Sequence, residues 1–94
     1  MTLSRSAAET TALHVLGWLV GEEDMLPVFL GSTGASEADL RAGAADPMFL
    51  GAVLDFILLD DAWVRRACEA LQMPFETIAA ARQALPGGDQ VHWT

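Results

Sequence analysis

The segment from Asp46 to Asp61 is the most apolar run in the chain, and acids close it at both ends. Asp46 can cap a helix with its carboxylate, and Pro47 follows at the first helical position, where a missing N–H does no harm. A helix from Pro47 to Leu59 would be about 20 Å long, whereas a membrane span needs roughly 20 consecutive apolar residues. Because apolar side chains surround almost its whole circumference, the pattern predicts a buried central helix.

Length and composition indicate one compact domain. The chain has 94 residues, which is enough to bury a core and leaves little room for a second domain. We expect a single helical domain over residues 1–94, with an N-terminal tail over 1–5, a helical core over 6–86 and a flexible C-terminal tail over 87–94. The chain has one cysteine and no apolar signal-peptide stretch at its N-terminus. These features predict a cytoplasmic protein without an internal disulfide.

The charge balance argues against nucleic acid as a partner. Asp and Glu number 13 and Lys and Arg only 5, all of them arginine, so the formal net charge is -8. Such a surface repels polyanions, and a nucleic-acid-binding protein usually carries a basic patch that neutralises phosphates. We therefore expect neither nucleic-acid nor membrane binding.

Helical periodicity predicts further helices around the central one. The first begins at Ser6, whose spacing to Glu9 matches a capping box, and it ends at Gly21. The others run from Glu22 to Leu30, from Ser36 toward Ala44, from Asp60 or Asp61 through Leu71, and from about Pro74 to Pro86. The predicted fold is all-α, a compact bundle of about six short helices.

A shift of 38 positions places one half of the chain on the other. It aligns Val15-Leu16 with Val53-Leu54, Glu22-Glu23 with Asp60-Asp61, and Leu40 with Ile78. The bundle is then two pseudo-repeated three-helix units around the central helix. The alternative is that amphipathic helices resemble one another without a duplication, and the predicted helix number does not depend on the choice.

Several short motifs, each of them generic, follow one another in a distinctive order. They are Leu16-Gly17-Trp18-Leu19, Thr33-Gly34, Asp39-Leu40-Arg41, Asp46-Pro47, Phe49-Leu50, Val53-Leu54-Asp55-Phe56, Ala80-Ala81-Arg82 and Leu85-Pro86-Gly87-Gly88. In this order they resemble a family of small uncharacterised bacterial proteins, the domain-of-unknown-function family 3572. The resemblance covers nearly the whole chain and implies a stand-alone, cytoplasmic, all-helical protein. It implies no activity, ligand or catalytic residue.

The residues that could carry chemistry are better explained by structural roles. A buried Asp55 could have a raised pKa and act as an acid or base, but its neighbours one turn away place it on the least bulky edge of the central helix. Cys68 would need His14 or His92 to become a nucleophile, and it lies instead on an apolar helical stripe. We therefore predict no catalytic residue.

Metal and cofactor sites are not predicted either. Glu22-Glu23-Asp24 and Asp60-Asp61 lack the alternating ligands and the glycine of a calcium loop, and they lie where helix starts favour acids. Arg65-Arg66, the one basic doublet, is interpreted as part of a solvated helix face. The histidines and the cysteine lack the spacing of a zinc site.

The remaining hypothesis is a non-catalytic module that binds an unknown protein partner or a second copy of itself. Its candidate residues are His14 and Trp18, a pair at the edge of the first helix, and Val91 and Trp93 in the C-terminal tail. A tryptophan is costly to leave in water, so the tail should contact its own helices or a partner, and a free tail is the remaining alternative. The alternative is a small regulatory domain of helix-turn-helix type associated with nucleic acid, which the charge disfavours.

Overall fold

The computed structural model describes residues 1–86, which form six α-helices and, within that range, no β-strand. The helices are α1 (Arg5–Val20), α2 (Leu26–Thr33), α3 (Glu37–Gly43), α4 (Pro47–Leu58), α5 (Asp61–Leu71) and α6 (Glu76–Ala84). They form a compact bundle with extents of 30 × 27 × 26 Å. The predicted all-α bundle of about six short helices is confirmed. None of these helices is long and apolar enough to span a membrane.

Helix α4 is the central helix, and it ends one residue before the predicted end. Asp46 caps it, because its Oδ1 accepts a hydrogen bond from the N–H of Met48 at 2.9 Å and Pro47 is the first helical residue. The helix packs against α1, α3, α5 and α6. Its buried residues lie on several sides: Leu50, Gly51, Val53, Leu54, Phe56 and Ile57. A narrow strip that includes Met48 and Asp55 faces solvent.

Four aromatic rings in contact join α2, α4 and α5. Phe29, the buried residue of α2, meets Phe49 edge-on at a centroid distance of 6.0 Å and Phe56 at 5.2 Å. Phe56 in turn stacks on Trp63 at 4.7 Å. Aromatic pairs in these arrangements are stabilising beyond the area that they bury. The Phe29 ring therefore anchors α2, a short helix with little other buried surface, to the core.

The start of α1 differs from the prediction. The cap is Ser4, whose Oγ accepts a hydrogen bond from the N–H of Ala7 at 3.1 Å, so Ser6 lies inside the helix. The capping box from Ser6 fails because Glu9 does not turn back toward it and pairs with Arg5 one turn earlier, at 3.4 Å. The predicted end at Gly21 is confirmed.

The start of α2 was also predicted too early. Residues 23–25 form a turn, and the helix begins at Leu26, with Pro27 in its first turn, where no intrahelical N–H is needed. Gly34 ends it in a left-handed conformation, with φ of 75°. Among the described residues, no side chain caps α2, and two of the acids before it, Glu22 and Asp24, contact Arg66 of α5 instead.

The other predicted helix starts agree more closely with the structure. Ser36 and Asp39 form a complete capping box for α3, and Asp60 rather than Asp61 caps α5. Helix α6 begins at Glu76, two residues after the predicted Pro74. The shift of 38 positions also relates the last residues of α1 and α4, which are Val20 and Leu58.

Truncation of Phe56 tests the aromatic contacts. Phe56→Ala should lower the free energy of unfolding by about 3–5 kcal/mol, because it removes a buried ring and leaves a cavity. Leu59→Ala is the control, since Leu59 is 76% exposed, and its effect should stay within about 0.5 kcal/mol. Urea denaturation measures both values. Equal losses would contradict the packing described for α4.

Gly43 offers a second test, because a side chain there has no room. A Cβ at Gly43 would overlap ring atoms of Phe49, including Cε2 at 2.8 Å, whereas a Cβ at Gly17 in α1 would meet nothing within 4 Å. Gly43→Ala should therefore destabilise the fold by about 1–3 kcal/mol. Gly17→Ala should stabilise it by about 0.5–1 kcal/mol through helix propensity. Thermal melts of both variants would show opposite shifts, and shifts of the same sign would contradict this placement of Phe49.

Candidate functional site

An apolar groove opens between α1, α2 and α3, and we call it the α1–α3 groove. Its volume is about 450 Å³, and it is lined by Leu16, Val20, Leu26, Glu37, Leu40 and Arg41. Leu16, from α1, is almost fully buried, whereas Val20 and Leu13 of the same helix are exposed. Residues three or four positions apart share one side of a helix. The groove thus continues along α1 into an apolar strip in which Leu13 and Val20 are exposed and Leu16, between them, is buried.

The two charged residues of the groove lie one turn apart on α3. Glu37 is in the first turn, where an acid is favoured by the helix dipole, and Arg41 is in the last turn. Within residues 1–86, neither of them forms an ion pair. An apolar floor with a free cation and a free anion at its rim can bind an amphipathic segment and fix its direction.

Trp18 and His14 lie on the other flank of α1. The helix turns by about 100° per residue, so the buried face of α1 lies between this pair and the flank that carries Leu13 and Val20. His14 is exposed and Trp18 is half-buried. The Cζ of Arg66 lies 5.9 Å from the centroid of the Trp18 ring, within range of a cation–π contact. The structure therefore places this pair outside the α1–α3 groove.

Arg66 joins α5 to the turn before α2, which corrects its interpretation as part of a solvated face. Its guanidinium donates to both carboxylate oxygens of Asp24, at 2.9 and 3.1 Å, and to Glu22. The hydrogen bond from Arg66 holds the pKa of Asp24 below its usual value, and the same pairing raises the pKa of Arg66. Sequence reasoning missed this contact because the partners are more than 40 positions apart.

Asp55 is exposed at the edge of α4, as predicted, and it also has a partner. The Nε of Arg82 donates to Asp55 Oδ1, while Arg82 Nη1 donates to the carbonyl of Pro86 at 3.0 Å. This arginine links α4 with the end of α6, so the role of Asp55 in the described fold is structural.

Within residues 1–86, the thiol is buried and the acids do not gather into a metal site. Cys68 is buried, its Sγ contacts the carbonyl oxygen of Pro74 at 3.5 Å, and burial raises the pKa of the thiol. Nucleophilic cysteines need the opposite shift. Over residues 1–86, no group of three or more His, Cys, Asp and Glu side chains could hold a metal ion.

The tail residues Val91 and Trp93, predicted as interaction residues, lie outside the described residues. So does His92, which was considered as a partner for Cys68. The residues that sequence reasoning missed are the exposed ones around the α1–α3 groove: Leu13, Val20, Glu37 and Arg41. For the two apolar residues, the sequence did contain a signal: the spacing of Leu13, Leu16 and Val20 extends the apolar surface of α1 beyond its buried face.

Residues 5–88 match the model of a family described as a protein of unknown function, DUF3572. The chain belongs to this family. The match confirms the resemblance drawn from the order of the short motifs, and it spans all six helices. No curated protein and no solved structure gave a match. Membership of DUF3572 carries no activity or residue role, so the function of this DUF3572 protein is inferred from its surface.

The Arg66 contacts predict a specific pH dependence. Because the Asp24 pKa is lower in the folded than in the unfolded protein, its ion pair stabilises the fold fully above the ordinary value of 3.8 and loses this effect as pH falls through the folded pKa. Asp24→Asn should therefore destabilise the protein at about pH 6, and the difference from wild type should shrink toward about pH 3. Urea midpoints across this range measure it.

The same substitution in an Arg66→Gln background is the matched control. There the carboxylate has lost its main partner, so Asp24→Asn should have little pH-dependent effect. A wild-type difference that stays constant across the acid range would contradict the assigned cause of the pKa shift.

Proposed function

We propose that this DUF3572 protein is a non-catalytic interaction module whose α1–α3 groove binds an amphipathic helix of another protein. The observation that carries the proposal is the pair of exposed apolar residues Leu13 and Val20 on α1, beside a groove of about 450 Å³ that Val20 lines. Apolar surface that remains in water after folding favours association with a partner that can cover it.

The dimensions of the strip suit a helix. Leu13 and Val20 are seven residues apart, or about 10.5 Å along α1, which is the length over which two helices in contact bury about two turns. Leu26 and Leu40 form the other wall of the groove. Helix-in-groove recognition uses anchors at such three- and four-residue spacings, and the partner would supply them from its own apolar face.

The charged residues at the rim of the groove, Glu37 and Arg41, indicate which charges a partner helix should carry beside its apolar face. Arg41 has no acidic partner within residues 1–86, so a partner helix that carries an acid next to its apolar face would pair with it. Glu37 would favour a basic residue one turn away. Such pairs at a rim contribute more to orientation and specificity than to affinity.

A non-catalytic role is supported by the use of the reactive side chains within the fold. Cys68 is buried with a raised pKa, and the acids Asp24 and Asp55 are each held by an arginine. A role with nucleic acid is disfavoured for a related reason. Within residues 1–86, three of the five arginines form ion pairs with acids, and the other two, Arg41 and Arg65, each follow an acid by one turn.

Site-specific photocrosslinking in the protein's native cells tests the proposal. A photoreactive phenylalanine analogue would replace Val20, which lines the groove, or Val28 of α2, which does not. The two valines are a matched pair, since both are 47% exposed. We expect a discrete adduct from position 20 and none from position 28, with the crosslinked peptide of the partner carrying an amphipathic, acid-containing helix.

Charge reversal at Arg41 then tests the pairing. In the protein that carries the photoreactive residue at position 20, Arg41→Glu should reduce the yield of the crosslinked adduct by about tenfold, since a like-charge contact at an interface costs affinity. Arg5→Glu, a reversal at an exposed arginine of α1 away from the groove, should leave it unchanged. Equal adducts from positions 20 and 28, or no adduct from a folded position-20 protein, would refute the proposal.

A further inference from the structure

A second groove, between the end of α4, α5 and the start of α6, shares no lining residue with the first. We call it the α5 groove. It has a volume of about 380 Å³ and is lined by Leu58, Asp61, Val64, Arg65 and Phe75. Leu58 and Val64 are half-buried, and Phe75 is 54% exposed. Exposed aromatic rings beside an apolar floor are typical of interface centres.

The charges of this groove are arranged so that a second copy complements them. Asp61 and Arg65 are one turn apart on α5, both are exposed, and neither forms an ion pair with any other residue between 1 and 86. If two α5 helices run antiparallel around a two-fold axis, Asp61 of each faces Arg65 of the other. Both pairs form at once, since a two-fold interface repeats every contact.

From this geometry we propose that the α5 groove is a homodimer interface. Val64 lies between the two charged residues along α5, so the axis passes beside it and the apolar floor of each copy is closed by the other. The Phe75 rings flank this centre and lose their contact with water. The proposal does not depend on the α1–α3 groove, which remains open for a different partner.

Because each chain has a large negative net charge, the Asp61–Arg65 ion pairs are important for dimer formation. Each chain carries a formal charge of -8, so two copies repel at long range and non-specific association is disfavoured. An arrangement that sets opposite charges face to face around an apolar contact offsets this repulsion. The Asp61–Arg65 pairs therefore fix the register of the dimer, and reversal of one of them should prevent it.

Sedimentation analysis of charge-reversed variants tests the interface. The wild-type protein should have twice the mass of a single chain. Asp61→Arg alone places arginine opposite arginine, and Arg65→Asp alone places aspartate opposite aspartate, so each variant should weaken the dimer by at least about tenfold. Mixing the two single variants should restore a heterodimer, because two arginines then face two aspartates. The double variant Asp61→Arg/Arg65→Asp should restore a homodimer.

Two controls separate loss of the interface from loss of the fold. Asp61 lies in the first turn of α5, where the helix dipole favours an acid, so the helical content of every variant is checked by circular dichroism. Phe75 precedes the first residue of α6, so Phe75→Ser changes no helical residue and should also give a folded monomer. Arg41→Glu in the α1–α3 groove should leave the dimer intact.

The proposal is overturned by a wild-type protein that stays monomeric at the highest accessible concentration. It is also overturned if the single reversals remain dimeric, if their mixture fails to associate, or if Arg41→Glu rather than Arg65→Asp disrupts the dimer. These outcomes concern only the α5 groove, while the crosslinking from position 20 reports on the α1–α3 groove. The two proposals therefore fail independently.

Discussion

A helix that is apolar on almost every side is stable in water only when other elements cover it. Helix α4 imposes this requirement, and the arrangement of the bundle follows from it. Short helices such as α2, α3 and α6 are marginal by themselves, so they depend on the surface of α4 or on its neighbours. The Phe29 ring shows this dependence, because it holds α2 in place by contacts with two rings of α4.

Two arginines connect neighbouring elements at the edges of the bundle through ion pairs. Arg66 connects α5 to the turn before α2, and Arg82 connects α4 to the end of α6. Such partly exposed ion pairs contribute little energy each, but each of them joins two elements that are distant in sequence. The two arginines pair with Glu22, Asp24 and Asp55, three of the acids considered above for chemistry.

The exposed surface of the described residues has apolar regions as well as acidic ones. Both grooves combine an apolar floor with an acid and an arginine one turn apart, on α3 in one case and on α5 in the other. In a chain with a net charge of -8, Arg41 and Arg65, which form no ion pair within residues 1–86, are local positive charges at these surfaces. We propose that they direct association, with a partner helix in the α1–α3 groove and a second copy at the α5 groove. Membership of DUF3572 is compatible with these roles and does not select among functions.

The sequence by itself determined the helix number, the central helix and several of its neighbours' ends, since these depend on residues close together in the chain. Asp46 before Pro47, and Ser36 three residues before Asp39, specify helix starts through contacts within one turn. Local signals fail where two solutions compete, as at the first helix, where Ser4 rather than Ser6 is the cap. The partner of Arg66 and the open face of α1 were decided only by the tertiary structure, because which surfaces meet depends on how six short helices pack together.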